Sequence, residues 1–232
     1  MVSMGHKDDV ERFLARARSG GAAAAAVAAT ADVVPLPTSE SAPWGLTALR
    51  GRLVELSARG ASAVLTMAIE LVSEAQVAGE PVAWVTLTGG SFYPPDAADS
   101  GVDLAALVVV RVASAILATR AAERLLRSGA FGLVVLDLVE LGVSVELNKA
   151  LAMATQGRLV TLAQAHDAAI VCLTDKPDDT ASVGSLVSLR VAALRTRTPS
   201  GQLGVALRAI KDKRRGPGWT HAGARKGPAG YG

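Results

Sequence analysis

Five short, almost uninterrupted apolar runs recur along the middle of the chain: "LVELS" (53–57), "VAWVTLT" (82–88), "LVVVRV" (107–112), "GLVVLDL" (132–138) and "AAIVCLT" (168–174). Each is bounded by turn residues, and none alternates apolar with polar side chains as a half-exposed strand would. Runs of this kind suit strands covered on both faces, the environment of a parallel sheet. Helical segments lie between them: Ser62–Ala78, ended by Gly79; Ser114–Ser128, with Ser114 as N-cap; and one long helix, Glu146–Asp167. Strand and helix in alternation predict an α/β domain, a mainly parallel twisted sheet with helices on both faces.

The two ends of the chain follow other rules. Residues 8–18 are expected as a short helix whose only large apolar residues are Phe13 and Leu14, and 19–43 as a flexible Ala/Pro-rich linker. "SLVSLRVAALRTRT" and "QLGVALRAIKDK", joined by "PSG", predict a C-terminal antiparallel hairpin. The expected division is therefore 1–18, 19–43, an α/β core over 44–211, and a basic Gly-rich tail over 212–232 that is disordered alone. In that tail Trp219 and Tyr231 are candidate anchors for a partner.

The net charge of +3 conceals a division: residues 1–189 hold 14 Lys/Arg against 20 Asp/Glu, whereas 190–232 hold 10 Lys/Arg and a single acid, Asp212. The C-terminal cations Arg195, Arg197, Lys211, Lys213, Arg214, Arg215, Arg225 and Lys226 are candidates for contact with DNA phosphate or an acidic protein surface, alongside the bland reading of a solvated edge. Any DNA binding there should be weak, sequence-blind and salt-sensitive. The longest apolar runs, near ten residues, are too short to cross a bilayer, and the charged start is unlike a secretory signal. Cys172, the one cysteine, sits in an apolar run and reads as a buried, inert thiol. His6, His166 and His221 have no metal-ligand spacing. A cytoplasmic protein without membrane contact or metal is expected.

Residues 51–69, "GRLVELSARGASAVLTMAI", place an apolar strand, a small-residue turn and an apolar helix in succession, the layout of a phosphate-binding loop. A working loop offers backbone N–H groups to phosphate, a lysine to the β/γ-phosphates and a following hydroxyl to Mg²⁺. With "GRLVEL", "SGVDLAALVV", "RSGAFGLVVLDLV", "SLRVAALRTR" and "GVALRAIKDKRRGPG" in this order, the chain from about Gly45 to Gly218 resembles the RecA recombinase core. Laid on that pattern, the glycine before the lysine is Ala63, the lysine is Val64 and the Mg²⁺ hydroxyl is Leu65; Thr66 carries a hydroxyl one position late. Arg59 and Gly60 lie in the turn, and Arg59 is a candidate to reach an anion from another direction. The water-activating glutamate falls at Thr88 or Gly89, with Asp96 the first acid beyond. Asp137 does match the acidic residue that ends the fourth strand, although a local capping role competes with a magnesium role. The resemblance therefore implies a pseudo-ATPase without cofactor, whose helix survives because Val64, Leu65, Met67, Ile69, Leu71 and Val72 serve the core.

The basic hairpin ending in "RRGPG" and the degenerate turn are most similar to the ImuA family, the RecA-like component of a bacterial damage-inducible mutagenesis complex. That resemblance implies a non-catalytic adaptor in SOS-induced mutagenesis and translesion synthesis, bound to ImuB and RecA and through them to an error-prone polymerase. The segments where recombinases carry DNA-binding loops, "VELGVSVELN" and "DKPDDTASVG", are short, and the second holds Asp175, Asp178 and Asp179 against Lys176, so filament-style DNA binding is not expected. Two alternatives remain at this level: an ATP-using recombinase paralogue with a displaced lysine, and a cell-division inhibitor of the RecA-like superfamily.

Overall fold

The computed structural model describes residues 43–197 and 203–224. The expected N-terminal helix, the linker as far as residue 42, and Arg225, Lys226 and Tyr231 lie outside the described residues. The described chain builds an eight-stranded sheet in the order β3-β2-β4-β5-β1-β6-β7-β8. Strands β1 (Arg52–Ser57), β2 (Val82–Leu87), β3 (Leu107–Val112), β4 (Leu133–Asp137), β5 (Ala169–Thr174) and β6 (Leu189–Arg197) run parallel. Strands β7 (Leu203–Asp212) and β8 (Thr220–Ala224) are added antiparallel. The five apolar runs and the hairpin are thus the strands that the sequence predicts.

Each face of the sheet carries its own core. On one side α2 (Val64–Val77) buries Val64, Met67, Ala68, Leu71, Val72 and Ala75 against Val54, Leu56, Val135, Val171 and Val191. A short helix α1 (Leu46–Leu49), not foreseen in the sequence, adds Leu46 and Leu49 to that side, and Trp44 joins them. On the other side α4 (Ala115–Arg127), α5 (Val145–Ala150) and α6 (Met153–Ala165) cover Leu53, Val85, Val134, Leu136 and Ile170. Two-sided cover is the physical reason that β1, β2, β4 and β5 read as continuous apolar runs. Ser114 caps α4 through the amide of Leu117, as expected, and Ser144 caps α5 through that of Leu147.

Four expectations are corrected. Strand β3 is not buried on both faces: it forms the sheet edge, and Val108 and Val109 are 44% and 37% exposed. The long helix over Glu146–Asp167 is broken at Leu151–Ala152, so that Leu147, Ala150 and Leu151 and then Leu159 and Ala163 all reach the same core. Buried Gln156 bridges the break, donating to the Leu151 carbonyl and accepting from the Leu186 amide; it packs so close to Gly184 that any side chain there would collide with it. The loop after β2 contains a helix, α3 (Pro94–Asp99), started by its prolines. Finally, residues 212–224 are not a structureless tail, because β8 pairs with β7 and Trp219 packs on the core.

Buried charge fastens the hairpin to the sheet. Asp212, the lone acid of the C-terminal segment, accepts from Arg52 (Nη2–Oδ1 2.7 Å), the Arg214 amide (2.9 Å) and Trp219 Nε1 (3.0 Å), while Arg52 also donates to Ser188. Burial alone would raise the Asp212 carboxyl, but hydrogen bonds from Trp219, the Arg214 amide and Arg52 outweigh it and hold the group below the ordinary value of 3.8. A depressed carboxyl contributes stability that is complete above its unfolded value and lost as pH falls through its folded value. Unfolding followed by tryptophan fluorescence should therefore show stability declining below about pH 4. Asp212→Asn should cost about 3–5 kcal/mol at neutral pH, by leaving Arg52 buried and unpaired, and should flatten that acid decline.

Candidate functional site

In an open parallel sheet, ligands gather beyond the carboxyl ends of the central strands, and the turn after β1 occupies that position here. It spans residues 58–63 and leads directly into α2. Gly60 takes a positive φ of 81°, a conformation that favours glycine, and its surroundings are open. Beyond the end of β1 pairing, β6 continues alongside the turn and forms a bridge between Leu194 and Ser62.

That continuation determines what the turn has left to offer. The Ala63 amide donates to the Ala193 carbonyl (2.9 Å) and the Arg195 amide to the Ala61 carbonyl (2.7 Å). The Ser62 amide donates to Gly60 O (2.7 Å), the Ala58 amide to Thr174 O (3.4 Å) and the Val64 amide to Ser62 Oγ (3.3 Å). Amides engaged in this way are not available to cradle a phosphate without first being released.

Side chains follow the same pattern. Val64, at the lysine position, is 2% exposed and belongs to the core; Leu65 packs against that core and Thr66 is half-buried. Arg59 turns to Asp175, with Nε–Oδ1 at 3.6 Å and Nη2 donating to its carbonyl at 3.4 Å, rather than towards an incoming anion. Thr88 donates to the Val112 carbonyl, and Asp96 is exposed in the first turn of α3. Asp137, at the end of β4, is buried and accepts from Thr86 Oγ1 (3.2 Å), Val139 N (3.3 Å) and Ser91 Oγ (3.4 Å). Burial pushes its carboxyl above the ordinary range, opposed by these hydrogen bonds. The neighbouring Trp84 indole N–H finds no partner at hydrogen-bond distance among the described residues. The residues present do not fit a magnesium nucleotide: the cation and hydroxyl positions are apolar, the Ser62, Ala63 and Val64 amides are engaged and the matching acid is tied locally.

A polar constellation not foreseen in the sequence lies just behind the turn. Glu55 is fully buried in β1 and accepts from Lys176 Nζ (3.0 Å), Thr174 Oγ1 (3.1 Å) and the Val183 amide (2.9 Å). Arg190, equally buried, stands 3.8 Å from Glu55 and donates to Ser57 Oγ and to the carbonyls of Pro177 and Thr180. Its signal was an acid interrupting "LVELS" and an arginine interrupting "SLRVAAL". The network pins residues 175–183 down, and two of the three aspartates there are spent, Asp175 on Arg59 and Asp178 on Arg208. Cys172 is buried, and burial together with the Glu55 charge pushes its thiol far up.

The C-terminal cations do not form one patch. Arg195 and Arg197 are exposed beside the turn, whereas Lys211, Lys213, Arg214 and Arg215 lie at the opposite end of the sheet. Six residues of strand separate Arg195 from Leu189, the partner of Asp212, so the two groups stand about 20 Å apart. Lys211 and Lys213 both donate to Ser185 O. Trp219, a candidate partner anchor, is half-buried and donates to Asp212 within its own hairpin. Among the described residues no group of His, Cys, Asp and Glu is placed to hold a metal, and no helix is long and apolar enough to cross a membrane.

No curated protein matches this chain. Residues 42–175 match the RecA N-terminal domain family, and the match ends just past β5, taking in the turn, α2 and Asp137. With more than half of its length matched in this way, the chain belongs to the RecA N-terminal domain family.

Proposed function

We propose that this RecA-like chain is a non-catalytic adaptor of the ImuA type, joining RecA and ImuB, and through them an error-prone polymerase, in damage-induced mutagenesis. The observation that carries the reading is the commitment of the turn: its Ala63 amide and Ala61 carbonyl bond to β6, and Val64 fills core volume where a lysine would reach phosphate. Phosphoryl transfer needs positioned cations and a placed water to stabilise spread charge, and this turn supplies neither. A fold relieved of that chemistry acts through its surfaces. Among the described residues β3 pairs only with β2, leaving an open edge with exposed Val108 and Val109, a surface suited to a protein partner.

Calorimetric titration of the full chain with magnesium-ATP is expected to give no binding isotherm. Micromolar binding with DNA-stimulated hydrolysis would instead establish an ATP-using paralogue. Val64→Lys is expected to cost on the order of 3 kcal/mol in a urea melt, because the ammonium enters the core, and to leave nucleotide binding absent. Co-purification tests the partners directly. Because Asp212 and β8 belong to the sheet, the informative truncation removes only residues 225–232. That protein is expected to stay folded and lose ImuB capture, while unchanged capture moves the contact elsewhere on the chain.

A further inference from the structure

The outer face of α4 and α6 carries a charge pattern that neither the degenerate turn nor the C-terminal hairpin uses. Arg120, Arg124 and Arg127 recur at spacings of four and three residues, so they share one stripe of α4, and all three are exposed. The same stripe begins one turn earlier with Ile116 and Leu117, each 43% exposed. From α6, exposed Arg158 reaches across to α4. The one acid among these cations is Glu123, held between Arg127 (2.5 Å) and Arg158 (3.0 Å). Hydrogen bonding led by Arg158 keeps its carboxyl below the ordinary range. Arg120 and Arg124 have no carboxylate partner among the described residues. Along α6 lies an open groove of about 420 Å³, lined by Ala154, Gly157, Arg158, Thr161 and Leu162 of that helix and by Arg127 from the end of α4.

We infer that this face is a docking surface for an amphipathic, acidic polypeptide segment, whose apolar side chains meet Ile116, Leu117 and the groove while its carboxylates pair with Arg120 and Arg124. Glu123 displays the recognition within the chain itself, one carboxylate held by two guanidinium groups, one at each oxygen. The aliphatic start of the stripe decides between the two polyanions that an arginine row could attract. A phosphodiester backbone gains nothing from exposed Ile116 and Leu117, whereas a partner helix with apolar anchors beside its acids is complementary to both parts. The inference does not rest on the adaptor reading, since it involves neither the turn nor the tail.

The test uses the full chain and a fluorescein-labelled synthetic helical peptide with leucines on one stripe and glutamates beside it, read by fluorescence anisotropy at two salt concentrations. Its glutamine and lysine counterparts and a DNA oligonucleotide serve as competing probes. The glutamate peptide is expected to bind, more weakly at high salt, and to lose about tenfold or more in affinity for Arg120→Glu/Arg124→Glu. The lysine peptide should then prefer that variant, a reversal that mere damage to the fold would not produce. An unchanged melting temperature verifies that the variant is folded; should it fail to fold, Arg120→Gln/Arg124→Gln takes its place. No binding of the glutamate peptide, equal binding of the glutamine peptide, or affinity indifferent to the substitutions would overturn the inference. Oligonucleotide binding that disappears in the variant would overturn it too, by assigning the stripe to phosphate.

Discussion

A single buried carboxylate organises the half of the sheet that matters most. Glu55 sits in the middle of β1, fully buried from solvent, so it requires cations and donors brought by the rest of the chain. Lys176 and the Val183 amide come from the segment after β5, and Arg190 comes from β6. Satisfying Glu55 therefore fixes the course of residues 175–183 and the placement of β6 beside β1. Arg52 does the same at the other end of β1, where Asp212 and Ser188 close the hairpin against the sheet. Two charged side chains of one strand thus hold the entire C-terminal extension in register.

The condition of the turn follows from that placement. Once β6 is fixed beside β1 it runs past the end of the strand, and its next residues, Ala193 to Arg195, meet residues 61–63. A phosphate-binding loop works by leaving its amides unsatisfied until a ligand arrives; here β6 takes the Ala63 amide, and those of Ser62 and Val64 bond within the turn. With the lysine position given to the core through Val64, the segment acts as a strand-to-helix connector. The helix α2 covers one face of the sheet, a role that needs apolar residues in the helix and nothing of phosphate chemistry.

Most of the fold was legible because two-sided burial leaves a plain mark, the continuous apolar run. What escaped were features decided by partners distant in sequence. The edge position of β3 depends on strand order, which "LVVVRV" does not encode, and the break at Leu151 depends on Gln156 meeting Gly184 and Leu186. Strand β8 was hidden because "WTHAGA" is short and glycine-bearing, and the bond from Trp219 to Asp212 depends on the hairpin's return. At the site, the apolar replacements at 63–65 could be read directly. The engagement of the turn could not, since it joins Ala63 to Ala193 across 130 positions, and the splitting of the C-terminal cations into two groups needed the hairpin register.

The central claim is that the turn is already bonded to β6 through the Ala63 amide and the Ala61 carbonyl, and hydrogen exchange measured residue by residue tests it most directly. The Ala63 and Arg195 amides should exchange slowly in the free protein, as sheet amides do, and their rates should not change when magnesium-ATP is added. Rapid exchange at both positions, slowed on addition of nucleotide, would contradict the account and restore the turn as a binding site.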